Sequence, residues 1–193
     1  QVRRIINPKG IYRRHDNGTP FNVVLTHRKN EAATQYLPFE SEGPWEAEIE
    51  TGSDWIIDPV ILPGDQEIVL EKNVRIIARR GGFKGIRDSL MSAYGRKNIV
   101  IRGEDGAVIE MHKADYQDKK QYKPSEWRHA IALWGCENVV IRDLTIKSSG
   151  GDGIYLGANW YNIRELNAPP TQRGLSRPGR NILIENVICD DHH

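Results

Sequence analysis

Several ionisable side chains near the end of the chain have the types and spacing that acid–base chemistry needs. Asp152 stands between glycines in GGDGIYLG, and the run DDHH places Asp190, Asp191, His192 and His193 together. Hydrolysis of a glycosidic bond uses two carboxyl groups, about 5 Å apart in retaining enzymes and about 6.5–9.5 Å apart in inverting ones. Crowded carboxylates also raise one another's pKa, which a general acid requires. We therefore predict that Asp152 and either Asp190 or Asp191 form a catalytic carboxyl pair.

The histidines offer a second chemistry at the same place. His129, His192 or His193, or an arginine, would abstract a proton next to the carboxylate of a uronic acid, as a lyase or an epimerase does. Structural roles stay open as well, because an aspartate between glycines often caps a turn and His129 could simply be hydrogen-bonded. Adjacent histidines on an extended chain point apart, so no metal or other cofactor is predicted. Calcium held by Asp190 or Asp191 is the alternative.

Aromatic and arginine side chains that suit a sugar ligand follow Asp152. They lie in the polar segment 158–179 and are Trp160, Tyr161, Arg164, Arg173 and Arg177. Aromatic faces stack on sugar rings, and guanidinium groups bind carboxylate or sulfate. Packing of Trp160 or Tyr161 onto the fold is the alternative for one of them. Tyr155 points outward by alternation with Ile154 and Leu156, so we predict that it is a stacking platform.

The elements that must position these residues form a repeat. Four segments begin with Asn and continue with alternating aliphatic residues: NVRIIA from Asn73, NIVIRG from Asn98, NVVIRD from Asn138 and NILIEN from Asn181. Their spacings of 25, 40 and 43 residues reduce to a period of 21–25 residues when the polar inserts 112–128 and 158–179 are removed. Short strands at such a period are typical of a parallel β-solenoid, in which stacked asparagines can form amide ladders.

A second strand precedes each repeat in a common register. Aligning SLMSAYGRKN with HAIALWGCEN places Met91 on Ile131, and DGIYLG then places Ile154 on Ile131. The same alignment stacks Ser89, His129 and Asp152 in one column. It also places the inserts 112–128 and 158–179 beside one face, where they would form the walls of a groove. Ser89, His129 and Asp152 could be read as a nucleophile, base and acid, but no oxyanion hole is evident.

These segments resemble a known family. GCENVVIRDLTIKSSGGDGIYLG and RNILIENVICDD resemble the rungs of right-handed parallel β-helix proteins, the pectin-lyase-like superfamily, over residues 65–193. The resemblance implies an all-β chain folded as a right-handed parallel β-helix and a carbohydrate-active protein. GDGI is also similar to the Asn-Thr-Asp-Gly motif of polygalacturonases, which implies a catalytic role for Asp152. Here Gly150 and Gly151 replace the Asn and Thr, and Asp190-Asp191 is followed by histidines instead of an apolar strand.

The presence or absence of the repeat divides the chain into two segments. Residues 1–60 do not repeat and are predicted to cap the open end of the coil, with a short helix considered over residues 28–37. Residues 61–193 are predicted to be the first rungs of a β-helix that is incomplete at the C-terminus. The missing remainder of that β-helix is therefore an expected structural partner.

Composition excludes some partners. Lys and Arg total 27 against 26 Asp and Glu, so the net charge of +1 favours neither nucleic acid nor an anionic membrane. No apolar run approaches the roughly 20 residues that span a bilayer. A start at Gln1 suggests a processed, secreted or periplasmic protein. We predict a glycoside hydrolase acting on a complex polysaccharide, with a lyase or epimerase on an acidic glycan, or a non-catalytic glycan-binding β-helix, as alternatives.

Overall fold

A computed structural model describes residues 54–159 and 177–193 in full and the backbone of four earlier strands. In chain order the elements are β1 (Val2–Ile5), β2 (Phe21–Leu25), β3 (Ala33–Phe39), β4 (Gly43–Ile49), β5 (Asp54–Ile57), β6 (Val60–Ile61), β7 (Gln66–Leu70), β8 (Arg75–Ala78), β9 (Met91–Tyr94), β10 (Lys97–Gly103), β11 (Val108–Glu110), α1 (Lys113–Gln117), β12 (Ile131–Trp134), β13 (Glu137–Lys147), β14 (Ile154–Gly157) and β15 (Arg180–Asp190).

The strands form two sheets. The larger sheet has the order β1-β2-β7-β10-β13-β11-β8-β5-β4-β3, with β15 beside β13, and the smaller sheet has the order β14-β12-β9-β6. Neighbouring strands are parallel except for β3, β4 and β5, which pair antiparallel. The long strand β13 pairs with β10 through its first half and with β11 through its second. The chain is therefore mostly β with a curled parallel sheet, which confirms the all-β class.

The predicted register of the smaller sheet is confirmed. Ile131 pairs with Met91 on one side and with Ile154 on the other, and Trp134 pairs with Tyr94. Side chains that alternate along a strand lie on opposite faces, so matching residues of successive strands stack in columns. The alignment of aliphatic positions therefore predicted correctly which residues of neighbouring strands pair.

The core is built from such columns. Ile68, Ile101, Ile141 and Ile184 occupy one register position on β7, β10, β13 and β15. The first three are buried, whereas Ile184 is 43 % exposed because β15 pairs with β13 along one edge only, as far as the described residues go. Full burial of an isoleucine side chain stabilises a fold by about 1.5–3 kcal/mol, so each such column contributes substantially.

An asparagine ladder runs along the turns that precede these strands. Nδ2 of Asn138 donates to Oδ1 of Asn98 at 3.0 Å, and Nδ2 of Asn181 donates to Oδ1 of Asn138 at 3.0 Å. All three residues have positive φ angles, between 53° and 57°. Asparagine tolerates the left-handed conformation better than most residues, so the same side chain serves both the turn and the ladder. The predicted ladder over these three residues is confirmed.

The predicted place of Asn73 in that ladder is wrong. Asn98 donates instead to Oδ1 of Asp65 at 2.6 Å, while β8, which follows Asn73, pairs with β11. Both β7 and β8 follow a left-handed Asp or Asn, so their local patterns are alike although they belong to different columns. Asn73 falls in a second column of left-handed turn residues, in which Nδ2 of Asn186 donates to Oδ1 of Asp143 at 3.0 Å.

The N-terminal strands correct one further expectation. A short helix was considered over residues 28–37, but β3 occupies Ala33–Phe39 and pairs antiparallel with β4. Pairing between strands outweighs a weak local helical preference. Strand β2 pairs in parallel with β7, so part of the predicted cap segment extends the larger sheet. Across the part of the chain that the structure describes, no helix has the length and apolar character needed to cross a membrane.

Candidate functional site

A groove with a volume of about 510 Å³ lies between the insert 112–128 and the segment that precedes β14. The insert supplies most of its lining, as expected for a groove wall. The lining residues used below are Tyr116, Glu126, Trp127, Gly150 and His193. The carboxylate of Glu126 is exposed, and the sequence analysis did not single it out. The second predicted wall, within 158–179, lies almost entirely outside the described residues.

A buried arginine holds the groove wall in place. Arg128 has no exposed surface, and its Nε and Nη2 donate to the carbonyls of Phe83 at 2.9 Å and Lys123 at 3.0 Å. Its guanidinium group lies over the rings of Tyr116 and Tyr122, at 5.7 and 5.4 Å from their centroids. Desolvated cation–π contacts contribute about 2 kcal/mol or more each, which helps to offset burial of the charge. Nothing in the sequence indicated this role of Arg128, because Phe83 lies 45 residues away along the chain.

The glycines around Asp152 are required by close packing. A Cβ atom on Gly151 would lie 2.4 Å from the carbonyl oxygen of Glu126 and 2.8 Å from Nδ1 of His129. A Cβ atom on Gly153 would lie 2.5 Å from Nε2 of His192. The segment therefore runs between two imidazoles with no room for neighbouring side chains. The side chain of Asp152 is 61 % exposed and projects from it into solvent.

His129 is a buried structural partner of Asp152. The backbone N–H of Asp152 donates to Nδ1 of His129 at 2.9 Å, and Oδ2 of Asp152 lies 3.4 Å from the same nitrogen. A backbone N–H can only donate, so Nδ1 carries the lone pair and the neutral ring holds its proton on Nε2. Burial lowers the pKa of His129, and the nearby Asp152 carboxylate opposes that shift. The lone pair that a base would need is therefore already engaged.

The predicted stacking platform at Tyr155 is half enclosed. Its ring stacks on His129, with centroids 4.6 Å apart and an angle of 13°, and also contacts Trp134 at 4.7 Å and Trp127 at 5.5 Å. Trp127 packs in turn on Trp134 at 6.1 Å and remains 38 % exposed. The exposed ring at the groove is therefore Trp127, which the sequence analysis did not select. Trp127 could have been selected from its position near the end of the insert 112–128, two residues before His129.

The two aspartates of DDHH differ in their surroundings. Oδ1 of Asp191 accepts a 2.8 Å bond from Nζ of Lys113, and Oδ2 accepts a 3.0 Å bond from Oγ of Ser148. These bonds lower the pKa of Asp191 and hold its carboxylate in a fixed place. Asp190 is exposed, and its carboxylate has no hydrogen bond or ion pair within the described ranges. Asp190 is therefore the freer member of the pair.

His192 is the point at which the predicted residues meet. Asp191, Asp152 and Asp190 each favour the protonated form of this imidazole, but burial outweighs them and lowers its pKa. Nδ1 lies 2.8 Å from Oγ of Ser149, whereas Nε2 is buried and has no hydrogen-bond partner within the described residues. The structure thus places this neutral, half-buried ring against Gly153, the residue after Asp152. His193 lines the groove, and its backbone N–H donates to the carbonyl of Gly151 at 3.3 Å.

Four predicted substrate-binding residues lie outside the described residues: Trp160, Tyr161, Arg164 and Arg173. Arg177 is exposed, and its carbonyl accepts a 2.9 Å bond from the backbone N–H of Asn159. Within residues 54–159 and 177–193, no group of three His, Cys, Asp or Glu side chains is arranged to hold a metal ion. Comparison of the chain with family models, curated proteins and solved structures finds no match.

Proposed function

We propose that the chain forms part of a right-handed parallel β-helix that hydrolyses glycosidic bonds of a complex polysaccharide, with Asp152 and Asp190 as the carboxyl pair. The observation that carries this proposal is a close contact between the two acidic segments: Gly153, next to Asp152, packs against Nε2 of His192 and Sγ of Cys189, which precedes Asp190. Asp191 is set aside because Lys113 and Ser148 hold its oxygens. The fold proposal rests on the parallel register, which repeats through β7, β10, β13 and β15.

The two carboxyl groups of such a pair have different roles in hydrolysis. One carboxyl group donates its proton to the glycosidic oxygen, and that oxygen keeps the electron pair of the breaking bond to the anomeric carbon. The other carboxylate either removes a proton from an attacking water molecule or bonds to the anomeric carbon itself. The groove beside Gly150 gives a sugar chain a place to lie, and the exposed ring of Trp127 gives it a stacking surface.

The experiment is a hydrolysis assay on a panel of neutral and acidic polysaccharides, scored by release of reducing ends. Asp152→Asn and Asp190→Asn are each expected to reduce turnover by about 10²–10⁴-fold, the contribution of a general acid or base. Asp105→Asn is the matched control, because Asp105 lies on an exposed turn and pairs with Lys72. Unchanged turnover in Asp152→Asn would remove that residue from the mechanism.

A second candidate is a lyase or epimerase in which His192 is the base. The specific observation in its favour is that Nε2 of the neutral His192 imidazole has no hydrogen-bond partner among the described residues. A lyase leaves an unsaturated product that absorbs in the near ultraviolet, whereas hydrolysis does not. Binding of a glycan without any product would instead select the non-catalytic alternative.

A further inference from the structure

Ser149 is a buried residue whose hydroxyl group has two close polar contacts, which together determine where its proton points. Its side chain has no exposed surface, and Oγ lies 2.6 Å from the carbonyl oxygen of Gly151 and 2.8 Å from Nδ1 of His192. A carbonyl oxygen can only accept, so the hydroxyl proton must point to Gly151. Oγ then presents its lone pairs to the imidazole.

This arrangement determines the tautomer of His192. At 2.8 Å, a lone pair on Oγ requires a proton on Nδ1, because two facing lone pairs would repel. The backbone N–H of Ser149 approaches Nδ1 at 3.4 Å and is a longer, weaker contact. The neutral ring therefore carries its lone pair on Nε2.

The opposite tautomer occurs at the other imidazole of the site. His129 accepts at Nδ1 from the backbone N–H of Asp152 and so holds its proton on Nε2. The two rings flank one glycine-rich segment but differ in which nitrogen can receive a proton. At His129 that nitrogen is already bonded, whereas at His192 it has no partner among the described residues.

We propose that Ser149 is the positioning residue of the site, which keeps His192 in the Nδ1–H tautomer so that Nε2 is its proton acceptor. In the lyase or epimerase reaction, the second candidate above, Nε2 would take the proton from the carbon next to the uronate carboxylate, and the electron pair of the broken C–H bond stays on the substrate. The charges of Asp191, Asp152 and Asp190 favour the resulting imidazolium, and Nζ of Lys113 is the nearby cation, bonded to the carbonyl of His192. This use in turnover rests on the proposed function, but the tautomer does not.

The test is nitrogen NMR of the full chain labelled with ¹⁵N-histidine, at a pH where both rings are neutral. His192→Asn and His129→Gln identify the two sets of signals by their loss. The expected spectrum shows a protonated Nδ1 for His192 and a protonated Nε2 for His129. Wild-type signals with the proton of His192 on Nε2 would overturn the proposal without any variant of Ser149.

Two variants then test the role of the hydroxyl group. Ser149→Ala removes the acceptor and is expected to move His192 toward the Nε2–H tautomer and to lower turnover about 10²-fold or more. Ser149→Thr keeps the hydroxyl group and is expected to retain the wild-type tautomer. An unchanged tautomer in a folded Ser149→Ala protein contradicts the proposal. Wild-type protein with the expected tautomer but no turnover on any glycan would contradict only the proposed function.

Discussion

The imidazole of His192 lies against Gly153, with Nε2 2.5 Å from the position that a Cβ atom on Gly153 would occupy. Gly153→Ala must therefore displace the ring, since real Cβ contacts are not that short. Overpacking of this kind costs about 1–3 kcal/mol of folding stability. We expect the variant to fold, with changed ¹⁵N signals for His192 and reduced turnover.

The control for this variant is Gly82→Ala. A Cβ atom there would approach the carbonyl oxygen of Arg79 at 3.1 Å, away from the two imidazoles. This change should cost stability but leave the signals of His192 as they are. If Gly153→Ala also leaves those signals unchanged, the contact between Gly153 and His192 does not position the ring.

Stability is expected to fall on mild acidification. Burial lowers the pKa values of His129 and His192 below the ordinary value of about 6.5, so the unfolded chain binds more protons than the folded chain in this range. The stability that the neutral rings contribute is present above about pH 6.5 and is lost as the pH falls toward the folded pKa values. Urea midpoints measured from pH 8 to pH 5 report this loss.

His129→Gln tests whether His129 contributes to this dependence of the urea midpoint on pH. The amide does not titrate, so the dependence of the urea midpoint on pH should become shallower in this variant. Asn138→Ala is the control, because it lowers stability without removing a titratable group and should leave the slope as in the wild type. Equal slopes in His129→Gln and the wild type would show that His129 does not contribute to the effect.

The asparagine ladder predicts a graded loss of stability at Asn138. Asn138→Ala removes the bonds to Asn98 and Asn181 and places a Cβ-bearing residue without a compensating side chain at φ 57°. Each net hydrogen bond contributes about 1 kcal/mol and the left-handed conformation costs about 1–2 kcal/mol, so a loss of roughly 3–4 kcal/mol is expected. Asn138→Gly relieves the backbone cost and should lose less. Equal losses in both variants would contradict the role of the conformation.

The sequence predicted most of the strand register, because aliphatic alternation and a repeated Asn report directly on which face is buried. Met91, Ile131 and Ile154 could be aligned for that reason. Asn73 was assigned to the wrong column because the ladder position before β7 is occupied by Asp65. This residue has the same left-handed backbone conformation but is not an asparagine. A repeat defined by one residue type does not reveal a position that Asp, Asn and Gly can all occupy.

Some members of the candidate site were predictable from the sequence, but their roles were not. Asp152 and His192 could be brought together from the repeat alone. The ion pair between Asp191 and Lys113 could not be predicted, since it joins residues that are 78 positions apart. The buried Ser149 gave no sign of its importance either. A serine is common in turns, and its role here depends on a 2.8 Å contact with the ring of His192, which follows the end of β15.

Trp127 provides the last prediction, which concerns the ligand and rests on the proposed function. Its ring packs on Trp134 and Tyr155 through part of its surface and exposes the rest at the groove. Loss of a stacking surface of this size is expected to weaken oligosaccharide binding in Trp127→Ala about tenfold or more, which calorimetric titration measures. Trp127→Phe keeps an aromatic face and should retain most of the affinity. Because Trp127 also contacts His129, unfolding of each variant must be measured in parallel. Affinity that survives in a folded Trp127→Ala protein would exclude this ring as a platform.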